Sequence, residues 1–187
     1  MKKIVLIIAA TALVCFSASA QKLARVNFSE LVQLMPEADQ ARATLKAVSQ
    51  EAEETLQTMY QEYQTKMTQY QQKNASWSDA IKKSKETELM DIQRRIEENQ
   101  QVFQQEIQQK QNELMAPIYE KAQKAVKDLA KAQNVVALFD SSSALYFDEA
   151  AVIDLTAAAR KALNIPADRT LEALQAELAA EQQAQQK

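Results

Sequence analysis

The chain has 187 residues, no Gly, no His and a single Cys, at position 15, and its 22 basic and 25 acidic residues leave it at net −3. The missing Gly excludes dinucleotide turns, Walker phosphate loops and nucleophile elbows, whose backbones only Gly adopts or tolerates at close approach. The missing His removes the usual general base and the commonest metal ligand, and with them Ser-His-Asp, Cys-His and nearly all zinc arrangements. A globule of this length normally uses Gly in tight turns and helix ends, so its absence predicts few turns and a fold dominated by long helices.

Residues 1–20 read as a secretory signal. Lys2 and Lys3 form a positive start, Ile4 to Phe16 an apolar stretch, and Ala18-Ser19-Ala20 a small-residue site for cleavage after Ala20. Such an apolar stretch is short of the roughly 20 residues that a membrane span requires. Cleavage also removes Lys2, Lys3 and Cys15, which leaves a thiol-free chain at net −5. Its expected location is outside the cytoplasm.

Lys22 to Phe28 alternate, with Ala24, Val26 and Phe28 on one side, as a half-exposed strand does. Ser29 is placed to cap a short helix through Leu34, and Pro36 breaks the pattern and opens the next helix. From Glu37 to Gln133 the sequence is nearly continuous helix former, with 18 Gln, 16 acidic and 14 basic residues in 97 positions. Its one interruption, residues 74–79, predicts a helical hairpin. Asn74 would stand in for Gly as a left-handed terminal residue there, and Ser76-x-x-Asp79 would start the second arm.

In the first arm Leu45, Val48, Ala52, Leu56, Met59, Tyr63, Met67 and Tyr70 recur at steps of three and four. In the second, Ile92, Phe103, Leu114 and Ala125 recur every 11 residues, as do Ile96, Ile107, Ile118 and Leu129. An 11-residue period keeps helices nearly straight. These stripes are the expected seam between the arms. Pro117 falls inside the second arm, where it removes one ladder hydrogen bond.

After Gln133 come two short apolar runs, Val135 to Phe139 and Ala144 to Phe147, around the polar Asp140–Ser143. They predict a β-hairpin. Asp148 is then expected to cap a helix with Val152, Leu155, Ala159 and Ala162 on one face, ending near Asn164. A last amphipathic stretch through Leu171, Leu174 and Leu178 runs into a Gln-rich tail. Three short strands make no self-sufficient core, and open strand edges seek partners, so oligomerisation is expected.

The Leu23-Ala-Arg-Val-Asn-Phe-Ser-Glu-Leu start, the long hairpin, Val135 to Asp140, Tyr146 and Asp154-Leu-Thr resemble the Skp (OmpH) family of periplasmic chaperones over roughly residues 22–163. The resemblance implies a mostly α fold with a small β body: a long antiparallel helical hairpin, or tentacle, projecting from a β-barrel shared between the subunits of a homotrimer. The corresponding division is a signal at 1–20, a body at 22–35 and 134–163, a tentacle at 36–133 with its tip at 74–79, and a tail at 164–187. It implies an ATP-independent holdase, with no enzymatic activity and no cofactor or metal, that keeps unfolded outer-membrane proteins from aggregating in a cavity between tentacles.

The site residues follow from that reading. Tyr60, Tyr70 and Trp77 with Lys82, Lys83 and Lys85 are the candidate client-binding groups near the tip. Leu45, Val48, Leu56, Met59, Tyr63, Met67, Ile92, Ile96, Phe103, Ile107, Leu114 and Ile118 are the seam. Val26, Val135, Val136, Leu138, Phe139, Leu145, Tyr146 and Phe147 are the body core and trimer interface. Residues 66–95 hold seven basic and four acidic side chains, a basis for weak contact with anionic lipid or lipopolysaccharide on an otherwise acidic chain. Nothing points to nucleic acid. A competing reading is a structural or adaptor coiled-coil protein of the cell envelope.

Overall fold

A computed structural model describes residues 22–185; the expected secretory signal lies outside the described residues. The elements run β1 (Lys22–Val26), α1 (Phe28–Leu34), α2 (Pro36–Lys73), a 3₁₀ turn (Asn74–Ser76), α3 (Asp79–Ala132), β2 (Val135–Asp140), a 3₁₀ turn (Ser141–Ser143), β3 (Val152–Asp154), α4 (Thr156–Ala162) and α5 (Leu171–Gln185). The mostly helical fold with a long hairpin and a small sheet is as expected. Two compact units divide it: residues up to Leu34 with Lys121 onward, and Met35–Glu120.

In the first unit the sheet has the order β2-β1-β3, with β1 parallel to both neighbours. Parallel strands need a long crossover, and the connection from Val26 to Val135 supplies one. Ala24 and Val26 are buried, and Ala24 packs with Ala130 and Leu155 beneath Leu129, Val135, Leu138 and Ile153. Within one chain this sheet is open, not a closed barrel.

The expected β-hairpin does not form. Asp140 accepts hydrogen bonds from the Ser142 amide (3.0 Å) and hydroxyl (2.9 Å), and the Ser141 hydroxyl donates to the Val26 carbonyl (3.3 Å). These contacts wind Ser141–Ser143 into a 3₁₀ turn with no positive φ, which a tight hairpin turn needs. Ala144–Phe147 stays irregular, and Val152–Asp154 takes the free edge of β1 instead, so the helix expected from Asp148 begins only at Thr156.

Capping also differs from expectation. Asn27, not Ser29, opens α1: its side-chain Oδ1 accepts from the Glu30 amide (3.1 Å) as an N-cap, its Nδ2 donates to the Glu30 carboxylate (3.0 Å), and its backbone N–H donates to the Thr156 hydroxyl (3.1 Å). Glu30 in turn receives Arg160 from α4 (2.6 Å). Arg160 also donates to the Pro166 carbonyl (2.9 Å) and to that of Arg169. One guanidinium thus ties α1, α4 and the segment leading into α5, where Ile165 and Leu174 are buried. On the sheet, Arg25 pairs with Asp154 (2.9 Å) and lies 4.8 Å from the centre of the Phe147 ring. Burial works against the Asp154 carboxylate, but bonds from Thr156 and the Arg25 charge hold its pKa below the usual value.

In the second unit, Met35 is extended and Pro36 opens α2 at its first position, where a missing N–H costs nothing. Pro117 lies inside α3 without ending it. Ile92, Ile96 and Ile118 are buried, with Ala52 and Leu89 beside them in burial; Leu45, Val48, Leu56, Met59, Tyr63, Met67, Phe103, Ile107 and Leu114 are half-buried. Asn74 is right-handed (φ −56°), contrary to expectation, because the arms are joined through a 3₁₀ turn. Ser78, not Ser76, meets the start of α3, accepting from the Ile81 amide (3.4 Å). Ser76 instead donates to the Lys73 carbonyl (2.8 Å).

The left-handed positions among the described residues are Asn134 (φ 56°) after α3 and Asn164 (φ 57°) after α4. Asn is the non-Gly residue that tolerates this region best. Asn134→Ala is expected to lower unfolding free energy by about 1 kcal/mol, whereas Asn134→Gly should leave it within about 0.5 kcal/mol; urea titration of both variants checks the pair.

Candidate functional site

The candidate client-binding residues fall on the distal part of the hairpin, where α2 and α3 run antiparallel across a short reversal. Their cross-arm partners have position numbers that sum to nearly the same value, as mirror-related positions must. Lys66 bonds Glu88, Tyr70 donates its hydroxyl to Glu86, Arg95 stands 3.7 Å from Glu62, and Gln100 donates to the Tyr60 hydroxyl at 2.7 Å. Trp77 meets Tyr70 edge-on at 6.0 Å between ring centres. Half-buried Trp77 therefore pins the reversal, while Tyr60, well back along α2 beside Gln100, stays 43% exposed.

The basic cluster is partly neutralised. Lys85 pairs with Glu88 at 2.8 Å and Lys82 with Asp79 at 3.6 Å, while exposed Lys83 has no ion pair among the described residues. Glu88 takes both Lys66 and Lys85, and those hydrogen bonds draw its pKa down to about 2. The same bond raises Lys66, and the bond to Glu86 raises Tyr70. Sequence reading missed Glu62, Glu86, Glu88 and Gln100; folding the sequence back about residues 74–79 would have placed each opposite its partner.

The body candidates are brought together only in part. Val26 is buried; Val135, Leu138, Phe139 and Phe147 are half-buried, with the Phe139 and Phe147 rings 5.7 Å apart. Val136 is 60% exposed, and Leu145 and Tyr146 are almost wholly exposed. Val136 and Ala137 face solvent within one chain, and β2 is an edge strand of the sheet. Among the described residues no group of three or more acidic or thiol side chains is placed to hold a metal, and no helix is long and apolar enough to cross a membrane.

A lowered carboxylate pKa stabilises the folded arm fully above the unfolded value and loses that effect as pH falls through the folded one. The Glu88 contribution is therefore expected to fade between pH 4.5 and about 2. Trp77 is the single Trp and reports on the tip. Its emission should shift across that window, and the shift should shrink in Glu88→Gln; an unchanged acid transition in that variant would dissociate the Glu88 bonds from tip order.

The family model for OmpH-like outer membrane proteins matches residues 22–163. Over 132 residues the chain is 28% identical to chaperone protein Skp of Yersinia enterocolitica, a match taking in 71% of this chain and 80% of that one. Its fold is shared with the crystal structure of an OmpH-like protein of Caulobacter crescentus assigned as an outer membrane chaperone, with a TM-score of 0.69 at 15% identity over 79% of this chain and 86% of the other. Helix α5 lies beyond the matched segment. On the extent of that match, the chain belongs to the OmpH-like outer membrane protein family.

Proposed function

We propose that this chain is an ATP-independent periplasmic holdase that binds unfolded outer-membrane β-barrel precursors and keeps them from aggregating. The observation that carries the reading is the hairpin itself: helices of 38 and 54 residues that bury one narrow seam and leave most of their surface open. A chain that aggregates through unpaired strand edges is kept soluble by anything that binds its unfolded form preferentially. Many weak contacts on a long arm, repeated on several arms, add by effective concentration while each exchanges quickly. Release needs no fuel, since the client gains more by closing its strands within lipid.

The assembly we propose is a homotrimer joined through the sheets. Its support is the open sheet with exposed Val136, Leu145 and Tyr146, apolar surface that a second copy would cover. At the tip, Trp77 and Tyr70 offer aromatic contacts to clients, and Lys83 with its neighbours offers anionic lipid or lipopolysaccharide a weak, salt-sensitive contact.

The test is dilution of a urea-denatured outer-membrane barrel into buffer without ATP, followed by light scattering. Scattering should fall to baseline at a few-fold excess of trimer; undiminished scattering would sink the holdase reading. In sedimentation the protein should run as a trimer across concentrations, and a stable monomer would contradict assembly through the sheet. Trp77→Ala and Tyr70→Ala should each weaken holding about threefold with helicity intact. Unchanged holding would confine both residues to shaping the turn.

A further inference from the structure

Gln101, Gln104, Gln105, Gln108, Gln109 and Asn112 recur at steps of three and four, so they share one face of α3. At about 100° per residue this face lies roughly opposite the seam of Ile96, Phe103, Ile107 and Leu114. With Glu113 the six line a shallow groove of about 730 Å³. Glu106 and Lys110, between them in sequence, start from the other side of the helix, and Lys110 reaches round only to the rim, 3.6 Å from Glu113. The groove floor is uncharged and built of side-chain amides.

Each primary amide carries two N–H donors and a carbonyl with two lone pairs. Gln101, Gln104 and Gln105 make no side-chain hydrogen bond among the described residues. Gln108 gives one bond to Asn112 (3.4 Å) and Gln109 one to Glu113 (2.9 Å), which leaves each with a second N–H and an acceptor. An unfolded chain offers the same chemistry, donors and acceptors alternating along a backbone that has no strand partner. A phosphate-bearing lipid offers acceptors and negative charge, against which this groove sets six neutral amides and, at its rim, the Glu113 carboxylate with Lys110 3.6 Å from it.

We infer that this amide face is a binding surface for the main chain of an extended, unfolded polypeptide. The inference rests on the holdase reading and specifies one contact within it. Because the bonds go to backbone, the surface accepts clients without regard to side-chain sequence. Because water competes for every amide, each bond is weak and the sum is distributed.

The test uses the full-length chain with Gln104, Gln105, Gln108 and Gln109 all changed to Ala, which favours helix, and a control with Gln182→Ala and Gln183→Ala. The probe is a fluorescently labelled outer-membrane barrel diluted from urea, read by anisotropy. The quadruple variant should bind about tenfold more weakly, with helicity unchanged and the control at the level of the unaltered protein. The loss should be equal at about 50 and about 500 mM NaCl, since the four substituted side chains are uncharged. Equal binding by the quadruple variant and the unaltered protein would overturn the inference and leave the holdase reading standing. A loss that vanishes at high salt, or that the control shares, would overturn it as well. If the unaltered protein itself fails to bind the barrel, the holdase reading falls and this contact falls with it.

Discussion

The hairpin holds together by a seam one side chain wide. Two helices lying antiparallel bury only the residues that face each other, so each turn contributes about one apolar contact per arm, and no second layer exists to correct an error in register. Register is therefore fixed by pairs that cross the seam at its margins. Lys66 with Glu88, Tyr70 with Glu86 and Tyr60 with Gln100 lock it near the tip. Individually such exposed contacts contribute little. Their effect is to choose one alignment among several of similar burial, and the uncharged amide face of α3 keeps its orientation only if that alignment holds.

The same economy explains how a chain without Gly folds at all. Asn134 and Asn164 supply left-handed backbone after α3 and α4, while Asn74–Ser76 and Ser141–Ser143 turn the chain as 3₁₀ segments without positive φ. Where the chain must stop a helix sharply and enter or leave the body, Asn appears; where the path is more gradual, Ser and Asp hydroxyls and carboxylates close short local rings. The body compensates for its small sheet with polar ties of long sequence reach, Arg160 to Glu30 above all, which join a residue near the start to helices near the end.

Long periodic segments were readable from sequence because their signal is repeated many times. The seam stripes and both arm helices follow from spacing alone, since one misplaced residue among a dozen does not alter a period. Short elements were not. Ala144–Phe147 is as apolar and aromatic as a strand, yet Asp140 captures the following serines and turns the chain away, and three residues with ordinary strand character, Val152–Asp154, win the edge because Arg25 and Leu155 are there to meet them. Asn74 and Asn134 are the same residue type after helices of similar composition, and only the path beyond each decides which becomes left-handed. The ion pairs at the tip and the solvent side of α3 depend on arm register, which single-helix periodicity does not encode.

Strand β1 is central in the sheet, yet its two partners are Val135–Asp140 and Val152–Asp154. During synthesis more than a hundred residues must follow Val26 before β1 can form a single ladder bond. Closing so long a loop is slow unless intervening structure shortens it, and the local contacts of a helical hairpin form far faster than non-local strand pairs. Folding of α2 and α3 along each other shortens the loop that strand pairing has to close, so the hairpin is expected to precede the sheet. A substitution that loosens the seam would therefore delay completion of the body, leaving the edges of β1 uncovered for longer in the protein's own nascent chain.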